Sequence, residues 1–325
     1  MREDLLKELE TEYEQIRSAN EREEANRRAR IRKEQPGIEK LVREREELIF
    51  GTLRNILNHS AEAGDLTERM EDLSSGIRRQ LKENGFPEDY LAPVYRCTLC
   101  KDTGKTGDTV REPCVCLKKA YQRKLRERIG LVGEKAETFD TFDLNVFPDE
   151  KIPGHDFTQR EIMDFYRKTC EKWAEDYPDA PCRDLLLTGS TGLGKTFLLR
   201  AMAERLIERD KNVLIISAYR MLEILRKSYF DNDQGTGDLL DAEVLMIDDL
   251  GSEPLMQNVT VEQLFNLINE RQNRDLSTVI STNLDMARFR ERYTERIASR
   301  LRDSRRCKIL SLLGKDIRTG GGLKA

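Results

Sequence analysis

Apolar residues recur in two rhythms along this chain, and the rhythm changes before its middle. Over residues 1–92 they form thin helical stripes in an otherwise charged background. Leu5, Leu9, Tyr13 and Ile16 make the first. After Pro36-Gly37 a second uses Ile38, Leu41, Val42, Ile49, Leu53 and Leu57, and a third uses Leu66, Met70, Leu73, Ile77 and Leu81 before Asn84-Gly85. Spacings of three and four predict helices, and the Pro-Gly and Asn-Gly pairs predict where they stop. The stripes read as too thin for a buried core, and no heptad persists long enough for a coiled coil. Two readings follow: solvated helices with scattered ion pairs, or a helical arm that lays its apolar seam on a partner.

Residues 137–325 alternate differently. Short apolar runs predict strands at 184–188, 213–217, 244–248, 278–282 and 307–312, with helical patterns between them at 196–209, 219–229 and 260–273. Strands joined by short helical crossovers build a parallel sheet with helices on both faces, so the fold class is α/β. The chain runs out soon after the last strand in Gly320-Gly321-Gly322, leaving no room for a C-terminal helical lid.

Composition bounds these readings. Of 325 residues, 36% are charged and 38% hydrophobic, polar enough to require an extended charged segment. The net charge of −4 argues against wholesale nucleic-acid coating but allows a local basic patch. No apolar run approaches the roughly 20 residues of a membrane span, and Met1-Arg-Glu-Asp-Leu-Leu-Lys lacks the apolar core of a signal peptide. A cytoplasmic location is expected, with no membrane partner. There the seven cysteines stay reduced unless a metal holds them.

The run 189–196 reads Gly-Ser-Thr-Gly-Leu-Gly-Lys-Thr, a complete G-x-x-x-x-G-K-[ST] phosphate loop between an apolar strand and a helix. Glycines let backbone N–H groups turn onto phosphate oxygens, and a helix N-terminus adds its positive end. Gly189, Ser190, Thr191, Gly192, Leu193 and Gly194 would cradle the phosphates. Lys195 would reach the β- and γ-phosphates, and the Thr196 hydroxyl would ligate Mg²⁺.

Some fifty residues downstream, Val244-Leu245-Met246-Ile247-Asp248-Asp249 is an apolar strand ending in two acids. Asp248 would hold Mg²⁺, directly or through water, and Asp249 would polarise the water attacking the γ-phosphorus. Strand 278–282 delivers Ser281-Thr282-Asn283, where the Asn283 amide is placed to bond the γ-phosphate or orient that water. In Glu295-Arg296-Ile297-Ala298-Ser299-Arg300-Leu301-Arg302, Arg296 and Arg300 share a helix face. One reading is an arginine supplied across a subunit boundary to a γ-phosphate. The other is a basic surface, continued by Arg305 and Arg306, for phosphate backbones.

Residues 93–136 hold a separate element. Cys97-x₂-Cys100 is followed, after thirteen residues, by Cys114-x-Cys116. Two thiolate pairs closed by a short glycine-bearing loop suit tetrahedral Zn²⁺, and the metal would supply folding energy that so small a knuckle lacks. The C-x-C spacing of the second pair departs from the usual C-x-x-C. A redox pair or incidental cysteines are the alternatives. Cys170, Cys182 and Cys307 stand alone, and His59 and His155 have no partner nearby in sequence.

Taken in order, the phosphate loop, Ile-Asp-Asp-Leu-Gly, Ser-Thr-Asn and Glu-Arg-Ile-x-Ser-Arg-Leu resemble the AAA+ ATPases, and within them the DnaC/DnaI-type loaders of the bacterial replicative helicase. The resemblance covers roughly residues 86–319, including Cys-x-x-Cys-Lys-Asp-Thr-Gly, Thr138-Phe139-Asp140-Thr141-Phe142 and Leu313-Gly314-Lys315-Asp316-Ile317-Arg318. It implies ATP with Mg²⁺ as ligand, a slow ATPase stimulated by DNA or partner, single-stranded DNA binding, self-association through residues 137–325, and a hexameric helicase as partner of residues 1–92. It places Lys195 and Thr196 on the phosphate loop, Asp248 and Asp249 on the magnesium and catalytic acids, and Asn283 on the sensor. Arg300, with Arg296 as alternative, falls on the arginine finger, and Phe139 and Phe142 on the adenine contacts. Asp249 stands where many AAA+ proteins have Glu, which moves the carboxylate back by one methylene. Transposition helpers of the IstB type share the same core and are the nearest alternative. A zinc-containing DNA-binding adaptor with a non-hydrolysing ATP sensor is another.

Overall fold

The structure, a computed structural model, describes residues 2–57, 64–107, 110–131, 136–231, 236–254 and 257–318. His59 and Gly320-Gly321-Gly322 lie outside them, as do the side chains of Leu53, Leu57 and Leu66. Backbone packing divides the chain into two compact units, Lys7–Leu117 and Met1–Leu6 with Lys118–Ala325.

The first unit is built on helices α1 (Arg2–Glu34), α2 (Pro36–Leu57) and α3 (Gly64–Glu83). The stripes do bury a core, contrary to the expectation from their width. Ile31, Ile38, Val42, Ile77 and Leu81 are buried together, with Leu41, Phe86, Tyr90 and Leu91 packed against them. The physical reason is antiparallel pairing. Helices α2 and α3 pack on each other, so Ile38 and Val42 face Ile77 and Leu81, while Ile31 from the end of α1 and Phe86 and Leu91 from the segment after α3 complete the cluster. Glu39, 5% exposed, is gathered in by Arg28, Arg32 and Arg43. The cysteine element follows, with a two-stranded antiparallel ladder of β1 (Lys105–Thr106) and β2 (Glu112–Pro113), and α4 (Val115–Ile129) begins in this unit and belongs to the second from Lys118 on.

The second unit holds α5 (Gln159–Asp176), β3 (Asp184–Thr188), α6 (Lys195–Glu208), β4 (Val213–Ser217), α7 (Ala218–Asp231) and α8 (Gly237–Asp241). After these come β5 (Val244–Leu250), α9 (Gln257–Asn273), β6 (Ser277–Thr282), α10 (Met286–Leu301) and β7 (Cys307–Ser311). The five strands β3–β7 form one parallel sheet in the order β4-β5-β6-β3-β7. Alternate residues of each strand separate to opposite faces, as the pleat demands. Leu185, Leu187, Val244, Met246 and Val279 join the core with α5 and α6. Leu186, Leu245, Ile247 and Ile280 join the core with α7, α9 and α10. Burial on both faces explains the continuous apolar runs of β3 and β5.

Helix α5 escaped the pattern reading. It begins in a capping box, the Thr158 hydroxyl accepting from Glu161 N while the Glu161 carboxylate accepts from Thr158 N, a device worth about 1 kcal/mol. Its buried Met163, Tyr166, Cys170 and Trp173 lie at helical spacing. On the other face, fully buried Arg271 donates to Leu239 O, Ala242 O, Ser277 O and Thr278 Oγ1, locking α8 and β6 to α9. Burial brings its pKa down to about 10.

Candidate functional site

The carboxyl ends of β3, β5 and β6 place the site. After Thr188 the chain passes through the left-handed region at Gly189, Gly192 and Gly194, with φ of 144°, 76° and 81°. Two of these glycines also have no room for a side chain: a Cβ on Gly189 would stand 2.4 Å from Leu312 O, and one on Gly192 would stand 1.7 Å from Asp316 Oδ1. Gly194 hands the loop to α6, whose first residue is Lys195.

Lys195 is buried and its ammonium is fully engaged. Nζ donates to Gly189 O, Ser190 O and Asn283 Oδ1, each at 2.7 Å. Burial lowers its pKa below the ordinary lysine value, while the charges of Asp249 and Asp248 act in the opposite sense. Next to it the Thr196 hydroxyl donates to Asp248 Oδ1 at 3.2 Å, and Ser281 Oγ donates to the same oxygen at 2.6 Å. Asp249 takes a left-handed φ of 56°, with its backbone N–H held by Ser281 Oγ at 2.9 Å. Asn283 Nδ2 donates to Asp249 Oδ1 at 3.2 Å. Of the residues the sequence assigns, Lys195, Asn283 and Asp249 form one hydrogen-bonded set and Thr196 and Asp248 another, and Ser281 bridges the two. Ser281, which holds both acids, carried no assigned role; its place one strand over from Asp248 was the available signal.

The segment after β7 closes over the loop. Ile317 N donates to Gly192 O, and Gln159 grips Lys315 through both its N–H and its carbonyl. Arg318 stands near enough for its charge to oppose that of Lys195. The aromatic residues divide. Phe139 is buried in the main core, whereas half-buried Phe142 stacks on Phe147 at 5.6 Å and meets Phe197 edge-on at 5.1 Å. Phe147 and Phe142 line the open side of Gly194. Phe147 was not anticipated.

Residues 152–320, just over half of the chain, match the family model described as IstB-like ATP binding protein. The chain belongs to that family. Two curated relatives are similar to part of it. The replicative helicase loader DnaI of Bacillus subtilis is 25% identical over 157 residues, covering 46% of this chain and 50% of that protein. The replicative helicase loader DnaC of Escherichia coli K12 is 27% identical over 153 residues, covering 42% and 61%. The chain therefore spans about half to three fifths of the length of these relatives. Among solved structures, a crystal structure of DnaI aligns with 61% of this chain and 99% of its own at 22% identity and TM-score 0.44. A DnaC helicase loader aligns with 53% and 97% at 20% identity and TM-score 0.43.

The arginines of this family member lie toward the amino ends of the strands, where Arg306 meets Asp184 at the start of β3 and Leu276 just before β6. Helix α10 runs back from the carboxyl end of β6 over 16 residues, and its last turn meets Asn269 at the far end of α9, away from its own phosphate loop. Thr294, with φ 71° and ψ 158°, breaks it in two. Arg296 is exposed. Arg300 is half-buried, donating to Asn269 Oδ1 at 2.6 Å and lying 4.7 Å over the Phe265 ring. Arg306 proves unlike the basic surface it was grouped with. It is bound to Asp184 at 2.9 Å, Asp275 at 3.1 Å and Leu276 O at 2.9 Å, because it neutralises an acid buried at the start of β3. Arg305 pairs with Asp303 and is exposed.

In the first unit Cys97, Cys100, Cys114 and Cys116 bring their sulfurs within 4.8 Å of one another. Two of the separations are 3.9 and 3.4 Å. Four sulfurs bonded at about 2.3 Å to one tetrahedral zinc stand about 3.8 Å apart, so this donor set fits Zn²⁺. Asp102, nearly fully buried, accepts from Arg96 N and Cys97 N and holds the first pair in place. Cys170 and Cys307 are buried and Cys182 is half-buried, and burial pushes the Cys170 thiol up to about 12. Among the described residues no helix is long and apolar enough to cross a membrane.

Proposed function

We propose that the chain is an ATP-dependent loader of a replicative DNA helicase, a switch that binds ATP with Mg²⁺, hydrolyses it slowly, and contacts single-stranded DNA. The observation that carries this reading is the hydrogen-bonded set Lys195–Asn283–Asp249 beside Thr196–Asp248 at the carboxyl ends of three strands. Those groups suit phosphoryl transfer. Lys195 and Asn283 would offset charge on the γ-phosphate and Asp249 would polarise the attacking water, while Thr196 and Asp248 would hold a magnesium ion that, when bound, supplies charge neutralisation. Phe142 offers an aromatic face for the adenine base. The names of the two relatives support the loader reading over a transposition helper.

The remaining parts follow as proposals. Residues 1–92 serve as the helicase-facing arm and 93–136 as a Cys₄ zinc element with its linker helix. Residues 137–325 form the AAA+ domain, which self-associates so that Arg300, or Arg296, completes a neighbour's site. One observation favours a second reading, an ATP sensor with negligible turnover in a DNA-binding adaptor: Asn283 occupies Lys195 and Asp249 together, so ligand must displace it before water can be activated. Phosphate release measured with and without single-stranded DNA separates the two. Stimulation by DNA supports the loader; ATP binding with no turnover under any addition supports the sensor.

A further inference from the structure

Helix α1 carries a polar stripe that no role yet explains. Tyr13, Arg17, Asn20 and Glu24 are spaced by four, three and four, which places them within about 60° of arc on one face of an α-helix. All four bond the cysteine element. Tyr13 Oη donates to Cys116 Sγ at 3.1 Å. Arg17 donates to Asp102 O at 3.1 Å, and Asn20 Nδ2 to Asp102 Oδ2 at 2.8 Å. Glu24 accepts from Val94 N at 2.7 Å. Asp102, with a left-handed φ of 59°, is the hub, since its other contacts are the N–H groups of Arg96 and Cys97.

We infer that this stripe is the outer layer of the metal centre, and that metal occupancy and the docking of α1 stabilise each other. The inference rests on the zinc reading of the four cysteines. Four thiolates around one divalent cation carry a net charge of −2, and donors aimed at sulfur offset that excess. Tyr13 supplies such a donor directly, from a helix some hundred residues away in sequence. Arg17 and Asn20 act through Asp102, which orients the Cys97 end of the first pair. Groups of this kind commonly govern metal affinity by 10- to 100-fold. Linkage makes the effect reciprocal: if docked α1 raises zinc affinity, zinc holds α1 on the element by the same factor. The ring of Tyr13 also packs at Gly104, where an added Cβ would lie 3.5 Å from Cε1. Removing the hydroxyl alone therefore leaves the packing in place.

The test uses the full chain, its Tyr13→Phe and Asn20→Ala variants, and Zn²⁺ or Co²⁺ as probe. Zinc affinity is measured by competition with a chromophoric chelator. The sulfur-to-cobalt charge-transfer band is recorded for the cobalt-loaded forms, and amide exchange of residues 13–24 is followed with and without zinc. The expected result is one zinc in the parent, a loss of tenfold or more in affinity for Tyr13→Phe with a displaced cobalt band, a smaller loss for Asn20→Ala, and slower exchange on loading. A parent that binds zinc, variants that match it within twofold, and exchange indifferent to metal would overturn the inference while leaving the zinc reading intact. A parent that takes up no zinc overturns the zinc reading, and the inference with it.

Discussion

Lys195 Nζ lies 2.7 Å from Asn283 Oδ1, while the Nδ2 of the same amide donates to Asp249. One side chain thus spans the phosphate-binding cation and the candidate water-activating acid. Asn283→Ala should leave ATP affinity within a few-fold of the parent, because Lys195 and the loop N–H groups remain. Turnover should fall by about 10²-fold, the usual cost of losing one preorganised donor. Isothermal titration and phosphate release on the same preparation check both halves.

Gly192 answers a different question, whether the closing segment is part of the site. Gly192→Ala meets two penalties, a φ of 76° and a Cβ 1.7 Å from Asp316 Oδ1. The backbone penalty alone is about 1–3 kcal/mol. The variant should melt several degrees lower and bind ATP more weakly. Adding Asp316→Ala should recover the part owed to the clash and leave the backbone part, as read by thermal melts with and without nucleotide.

Arg300 bonds Asn269 near the amino ends of the strands, opposite the carboxyl ends that carry the phosphate loop, so any catalytic role must be played toward a neighbour. Arg300→Ala should bind ATP normally and hydrolyse poorly. Mixing it with Asp249→Asn should restore part of the turnover, since some interfaces then pair an intact acid with an intact arginine. Its contacts with Asn269 and Phe265 make a melting curve the necessary control. Loss of DNA affinity with an altered salt slope, and no rescue on mixing, would assign it to a phosphate-backbone surface instead.

Metal analysis of protein purified without chelators should find about one zinc per chain. Its removal should loosen the unit Lys7–Leu117, whose small buried core cannot hold so long a segment unaided. Cys97→Ser/Cys100→Ser should show the same loss without a chelator. Because Lys195 and its partners sit on their own sheet, ATP binding should survive both treatments.

The sheet was legible because its central strands β3 and β5 are buried on both faces and carry the apolar runs Leu185–Leu187 and Val244–Ile247, and the observed β3 and β4 have the expected bounds. The phosphate loop and the four cysteines were legible because their chemistry requires fixed spacing. What escaped depends on contacts distant in sequence. Gln159 holds Lys315 across 156 residues, and no local pattern announces it. The core of the arm uses Ile31, Phe86 and Leu91, which belong to none of the stripes. Arg17, Asn20 and Glu24 read as a solvated helix surface because their partners, two backbone groups and the Asp102 carboxylate, lie 70 or more residues away. Helix α5 did leave a signal, Thr158-x-x-Glu161 ahead of Met163, Tyr166 and Cys170, which the search for strand alternation passed over.

The most direct measurement of the central claim is phosphate release from ATP by the parent and by Asp249→Asn, with single-stranded DNA and a ring helicase present. The parent should hydrolyse ATP and be stimulated by DNA. Asp249→Asn should bind ATP with unchanged affinity and release phosphate at least 10²-fold more slowly. Parental turnover in Asp249→Asn, or a parent that fails to bind ATP, would contradict the account.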